Sequence, residues 1–382
     1  MSTAPFLSSD PEKQTAVRTS WMMGPTRDLI LFFPAIWGSL ILFMAILFHQ
    51  FEPARFPWKF MSVVNSLHTG LPIAYALFFS HHFPTENKKK MLGGFLFFLV
   101  IFALSWKISQ WNLGFMTILL PTFFVLIATY HFYRQDLGIC SMYRSRDMTC
   151  KSWEKDYERY LILFFAFIIP TVYWISWGRR YDALVRYWGG ALHWDWLLNL
   201  LSILATVLFG GYVGYQLLWK RNFNPRFLYM GGLYLFVLTM LKSSLFLFPF
   251  FIEIMARTFT HDWVEIGIQS KMASSELKSS RPFNRWRVLA WIGSAVLVAI
   301  FFNFSKVTYA FMTDIQSRGD LNGQQFLEHA GDSYFQIWAT FYLALSALHY
   351  YIGRYVYDFS VPAVRKNLDF GSYFQKGKGF VP

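Results

Sequence analysis

The sequence predicts an all-α fold, a polytopic integral membrane helix bundle of about ten transmembrane helices with both termini cytoplasmic. Three observations predict it. The 382 residues are 55% hydrophobic and only 15% charged, where a soluble domain averages about 25% charged residues. Long apolar runs recur along the chain, several of them near the roughly 20 helical residues that cross a hydrocarbon core of about 30 Å. Lys and Arg gather in alternate loops, and cytoplasmic loops hold that excess. The runs are continuous, without the alternation that a transmembrane β-barrel requires.

In chain order, residues 1–28 form a polar cytoplasmic segment, and the apolar run behind them is too long for a signal peptide. The transmembrane domain covers 29–358. Its first span, 29–48, is almost uniformly apolar. The second, 58–80, contains Asn65, His68 and Pro72, with His81 and His82 at its end. The third, 91–106, follows the Lys88–Lys90 run. The fourth, 112–133, is less hydrophobic and closes on Tyr130-His131-Phe132. The 134–159 loop mixes charges with Tyr143, Trp153 and Tyr157, the composition of an interfacial helix. Spans 160–177 and 196–219 follow, then a short seventh, 227–241, open to a re-entrant reading. The eighth, 244–270, repeats polar residues every fourth position: Glu253, Arg257, His261, Glu265 and Gln269. The ninth is 287–304, the tenth, 334–357, carries His349, and a cytoplasmic tail occupies 359–382. Cys140 and Cys150 fall in one cytoplasmic loop and are expected to be free thiols.

The net charge of +13 follows from this loop asymmetry. Nucleic-acid binding is the weaker reading of that charge and is not expected, because no basic stripe is interleaved with stacking aromatics. P-loop, dinucleotide-binding and G-x-S-x-G patterns are missing from the sequence, so nothing supports nucleotide hydrolysis or serine catalysis.

The polar residues inside the bundle point to function. Six of the nine histidines, His68, His81, His82, His131, His261 and His349, are expected at one depth. An intramembrane histidine is costly without a partner. His68, His131, His261 and His349 lie on four different spans and are the expected metal ligands. His81 and His82 are further candidates, with plain interfacial residues as the alternative. His261 and Glu265 are four apart and share a helix face, so Glu265 is a fifth ligand or a base. Asp136, five residues after His131, is the candidate acceptor that would fix the imidazole tautomer. Gly353 leaves space over the His349 face. Imidazoles with carboxylate and open positions suit non-haem iron. A b-type haem held by His131 and His349 is the alternative cofactor, and a proton or ion pathway the alternative use of the cluster.

The runs His131-Phe132-Tyr133-Arg134-Gln135-Asp136-Leu137-Gly138 and His349-Tyr350-Tyr351-Ile352 resemble those of a class of multi-pass bacterial membrane proteins with no assigned activity. That resemblance implies a bacterial cytoplasmic membrane. More distantly, the placement of the histidines is similar to the Brp/Blh family of membrane β-carotene dioxygenases. That similarity implies one non-haem iron on histidines from several spans, acting on an apolar molecule with O₂. Where that family has Pro-His-Gly, this chain has Leu67-His68-Thr69-Gly70.

The leading expectation is therefore a membrane-embedded non-haem iron oxidoreductase acting on an apolar or lipid substrate. Its electron donor is not legible in the sequence. A transporter relaying protons or metal ions through the histidines is the rival, and a structural subunit of a membrane complex is the third reading.

Overall fold

Apolar segments bounded by Pro, Gly and charged turns become helices at eight of the ten expected positions. The structure is a computed structural model, and it describes residues 25–31, 58–111, 120–144, 147, 149–178, 195–242, 282–303 and 333–356. Among these residues the fold is all-helical, with no strand. The helices are α1 (Pro25–Leu31), α2 (Trp58–Phe78), α3 (Thr85–Trp111), α4 (Leu120–Arg144), α5 (Ser152–Leu163), α6 (Ile169–Gly178), α7 (Asp195–Gly214), α8 (Arg226–Lys242), α9 (Pro282–Asn303) and α10 (Ser333–Val356). A 3₁₀ turn, Ser80–His82, follows α2. A π-helical segment, Phe164–Ile168, runs α5 into α6, and another, Tyr215–Trp219, ends α7. The expected first and eighth spans lie almost wholly outside the described residues.

Local chemistry sets the helix ends. On α5, Glu154 reaches back to accept the Lys151 backbone N–H at 3.3 Å, satisfying one of the amides that the first turn leaves unpaired. Helix α9 opens on Pro282, whose missing N–H costs nothing at a first position. Pro72 sits inside α2; it withdraws the amide that the His68 carbonyl would otherwise accept, loosening the helix beside that histidine.

Two helices are long and apolar enough to cross a membrane, Thr85–Trp111 and Trp196–Trp219. Only 11% and 17% of their apolar windows are buried, so they face outward, unlike the core helix of a soluble protein. Trp196 and Trp219, at the two ends of the second, are 67% and 83% exposed. Helix α8 is apolar but shorter, while others carry polar residues. Helix α4 contains Arg134, Asp136 and Arg144, and α10 contains His349 and Arg354.

The fourth element extends past its expected end. It begins at Leu120 and runs on to Arg144, well past 133, and α5 takes up much of the remainder. The 134–159 segment thus includes the end of α4 and the start of α5. Its charges are absorbed by pairing: Tyr229 donates to Asp136 at 2.5 Å, and Arg144 meets Glu158 at 3.2 Å.

Packing divides the described residues into two half-bundles. In one, α2, α3, α9 and α10 bury Tyr75, Phe79, Phe83, Trp291 and Ile352. In the other, α4 to α8 bury Tyr143, Ile162, Phe165, Tyr229 and Phe236. Helix α10 packs on α2 and α3 and also on α4, which ties the halves together. Its approach to α3 needs Gly94, where a Cβ would stand 2.5 Å from the Tyr351 ring.

Candidate metal centre

Three histidines meet at the seam between the half-bundles. His68 comes from α2, His349 from α10 and His131 from α4. His68 and His349 are buried and His131 is half-buried. The His349 Nε2 lies 3.2 Å from His68 Nε2 and 3.3 Å from His131 Nε2. One ligand atom from each ring lies within 4.8 Å of the other two.

These distances can be tested against a shared cation. A first-row ion held at about 2.0–2.1 Å places two cis nitrogens roughly 2.8–3.4 Å apart, and both short separations fall in that range. Hydrogen bonding alone fits less well. A neutral Nε2 is either one donor or one acceptor, so the central His349 nitrogen cannot donate fully to both neighbours. Three imidazole nitrogens gathered this closely from three helices could hold a metal ion. The bis-histidine haem fits poorly: trans nitrogens about 2.0–2.1 Å from one ion stand roughly 4 Å apart, and His131 and His349 are closer than that.

The surroundings orient the rings. Tyr350 stacks on His131 with centroids 4.1 Å apart and planes 27° from parallel. The His68 ring meets His349 edge-on at 4.5 Å. His349 Nδ1 is buried without a hydrogen bond of good geometry, and a looser contact to the Thr69 backbone supports that ring. Gly353 follows His349 by one turn. It is buried, and a Cβ there would meet no described atom within 4 Å. Since a helical Cβ tilts toward the N-terminus, that space opens toward His349.

The remaining candidates separate from this group. His261 and Glu265 lie outside the described residues. His81 stands in the turn after α2, roughly 20 Å along the helix axis from His68, with both ring nitrogens facing Arg287 at 3.1 and 3.4 Å. A cation beside it already makes that ring a poor metal ligand. His82 adjoins it in the same turn. Of the six histidines expected at one depth, three converge among the described residues, and His261 is not among those residues. Asp136 is buried and bonded to Tyr229 of α8. Five residues turn a helix by roughly 140° beyond a full circle, so its carboxylate faces the α8 side and not the His131 ring. Tyr350 went unnoticed as a site residue, because a tyrosine near a helix end reads first as an interfacial residue.

A second polar cluster was not foreseen at all. Arg226, fully buried, places Nε 2.6 Å from Glu158 Oε1 and a terminal nitrogen 2.7 Å from Asp147 Oδ2. Tyr212 donates to the same Glu158 oxygen at 2.6 Å. Lys220 binds both Glu154 oxygens at 2.8 and 3.0 Å. Burial raises the Asp147 carboxyl, but hydrogen bonds from Thr149, Arg226 and Asn222 outweigh it and hold the group below its ordinary value. Glu154 is held low in the same way, burial opposing and Lys220 prevailing. The cluster fastens α5 to the α7–α8 turn. The signal available was Glu154 and Glu158, four apart on one helix face.

Comparison with family models finds none that matches the chain, and neither a curated protein nor a solved structure matches it.

Proposed function

We propose that this protein is a membrane-embedded metalloenzyme that oxidises an apolar or lipid substrate at a non-haem metal, iron by preference, held by His68, His131 and His349. In this reading about ten helices cross the bacterial cytoplasmic membrane with both termini inside. The observation that carries it is the pair of 3.2 and 3.3 Å separations between ring nitrogens from three different helices. An all-imidazole donor set suits iron, zinc, copper or nickel; iron is preferred on the resemblance to the β-carotene dioxygenase family. The bound ion would supply Lewis acidity and, if iron, one-electron redox chemistry with O₂. His68, His131 and His349 would bind it from one side, Tyr350 would hold the His131 ring plane, and the space over Gly353 would admit a ligand. His261 and Glu265 are the sequence's candidates for the remaining donors or a base.

Metal or proton transport is the second reading. It is favoured by the position of the triad at the seam of two half-bundles, where a moving interface would expose it. Anaerobic loading with Fe(II), followed by O₂ in the presence of a bacterial membrane-lipid extract, separates the two. The enzyme reading expects O₂ uptake that needs both lipid and His349. Histidine-dependent ion flux in proteoliposomes, without O₂ uptake, would replace it with the transport reading.

A further inference from the structure

The turn after α7 is strained and faces outward. Arg221 has φ 49°, the one positive-φ non-glycine among the described residues, in the left-handed region that L-residues rarely occupy. Bonds on both sides hold it there. Lys220 Nζ donates to the Thr149 carbonyl at 2.9 Å as well as to Glu154. The Asn222 side chain donates to Asp147 at 2.9 Å and its backbone N–H to the Gln216 carbonyl at 2.9 Å. A left-handed residue just after the cap, with the next amide bonded back to the last turn, is how helices commonly end, and here it leaves Arg221 exposed.

What the turn presents is apolar and cationic together. Leu218 and Trp219 are each 83% exposed, and Phe223 is also exposed. Trp153, exposed near the start of α5, lies 5.5 Å from Tyr215 and so belongs to the same face. Lys151 and Lys155 are exposed beside it, and Asp156, just after that first turn, is an exposed acid. Glu154 and Asp147 point inward and are neutralised by Lys220 and Arg226.

We infer that this turn and the start of α5 form a docking surface for anionic phospholipid headgroups, with Arg221 on the phosphate and Trp219, Phe223 and Trp153 in the headgroup–acyl boundary. Charge complementarity selects an anion. The exposed Leu218 and the aromatic residues select a lipid over a soluble polyanion, because only a bilayer edge gives both layers a partner. The surface follows a helix long and apolar enough to span, where cytoplasmic headgroups would lie. It is independent of the metal reading.

The test uses the full chain in detergent, with phosphatidylglycerol and phosphatidylcholine as probes, read by native mass spectrometry and thermal shift. The wild type retains phosphatidylglycerol severalfold more than phosphatidylcholine. Arg221→Gly relieves the strain, so a purely structural arginine predicts a chain as stable or more so with lipid preference unchanged. The docking surface predicts equal or higher stability with at least half the preference lost. Arg221→Asn, which also tolerates left-handed backbone, repeats the comparison if the glycine variant does not fold. Trp219→Ser weakens retention of both lipids. An unchanged preference in both Arg221 variants, or no preference in the wild type, overturns the inference, as does displacement of phosphatidylglycerol by millimolar inorganic phosphate.

Discussion

Replacing Arg226 with methionine removes the central cation of the buried cluster and leaves Glu158 and Asp147 beneath the surface. Breaking a buried pair by deleting one partner costs about 3–5 kcal/mol, because the other charge stays desolvated. Glu158 keeps Tyr212 at 2.6 Å and Arg144 at 3.2 Å, which places the expected loss at the lower end, about 3 kcal/mol. Glu158→Gln should cost less, since the amide still accepts a hydrogen bond. The two changes together should be less damaging than their sum by about 1 kcal/mol or more, as groups in one network couple. The assay is loss of monodisperse protein on heating in detergent at a fixed scan rate, with all variants compared under the same conditions. Arg226→Met within about 0.5 kcal/mol of wild type, a surface-like effect, or strict additivity in the double variant, would refute the argument that this network is buried and coupled.

Other expectations follow from single contacts. Gly94→Ala should destabilise by about 1–3 kcal/mol through overpacking against Tyr351, and Tyr351→Ala in the same chain should recover most of the loss in a melting experiment. Asp147 and Glu154 have depressed carboxyl values in the folded state. Their contribution is therefore complete above the unfolded values of about 3.9 and 4.3 and is lost as pH falls through the folded ones. Stability scanned from pH 7 to 3 should show their share intact to about pH 5 and declining below about pH 4, with part of that decline absent in Asp147→Asn. Cys140 is fully buried, whereas Cys150 is half-buried with its thiol pushed up to about 11 by burial. Maleimide should label Cys150 slowly near neutral pH, faster as pH rises and from the cytoplasmic face, and should reach Cys140 only after unfolding. Labelling of Cys150 from the outside alone would reverse the proposed orientation.

The helices were legible where hydrophobicity changes sharply. Trp196–Trp219 and Pro282–Asn303 begin and end within a few residues of their expected limits, since an apolar run bounded by Trp, Pro or charge marks its own ends. The end of helix α4 was misplaced because hydropathy counts Arg134, Asp136 and Arg144 as solvent-seeking. Partners supplied by other helices, Tyr229 and Glu158, remove that cost. The same blindness hid the Arg226 cluster, whose contacts join residues 68 positions apart; its one local trace is the pair Glu154 and Glu158, four apart. His68, His131 and His349 were legible for the opposite reason. An ionisable ring in an apolar helix is costly enough to be informative without its partners. The Tyr229 partner of Asp136 and the Arg287 partner of His81 come from other helices, so neither contact could be read from local spacing.

Metal content decides the central claim most directly. Chain purified without affinity tags that bind metal, loaded with Fe(II) or Zn(II) and desalted, would be assayed by inductively coupled plasma mass spectrometry beside His68→Ala, His131→Ala and His349→Ala. The account predicts about one tightly held first-row ion per chain, as three imidazoles converging on one point should bind a single cation, and a severalfold loss in each variant while α-helical content is retained. Wild-type protein that holds no more metal than the three variants would contradict it.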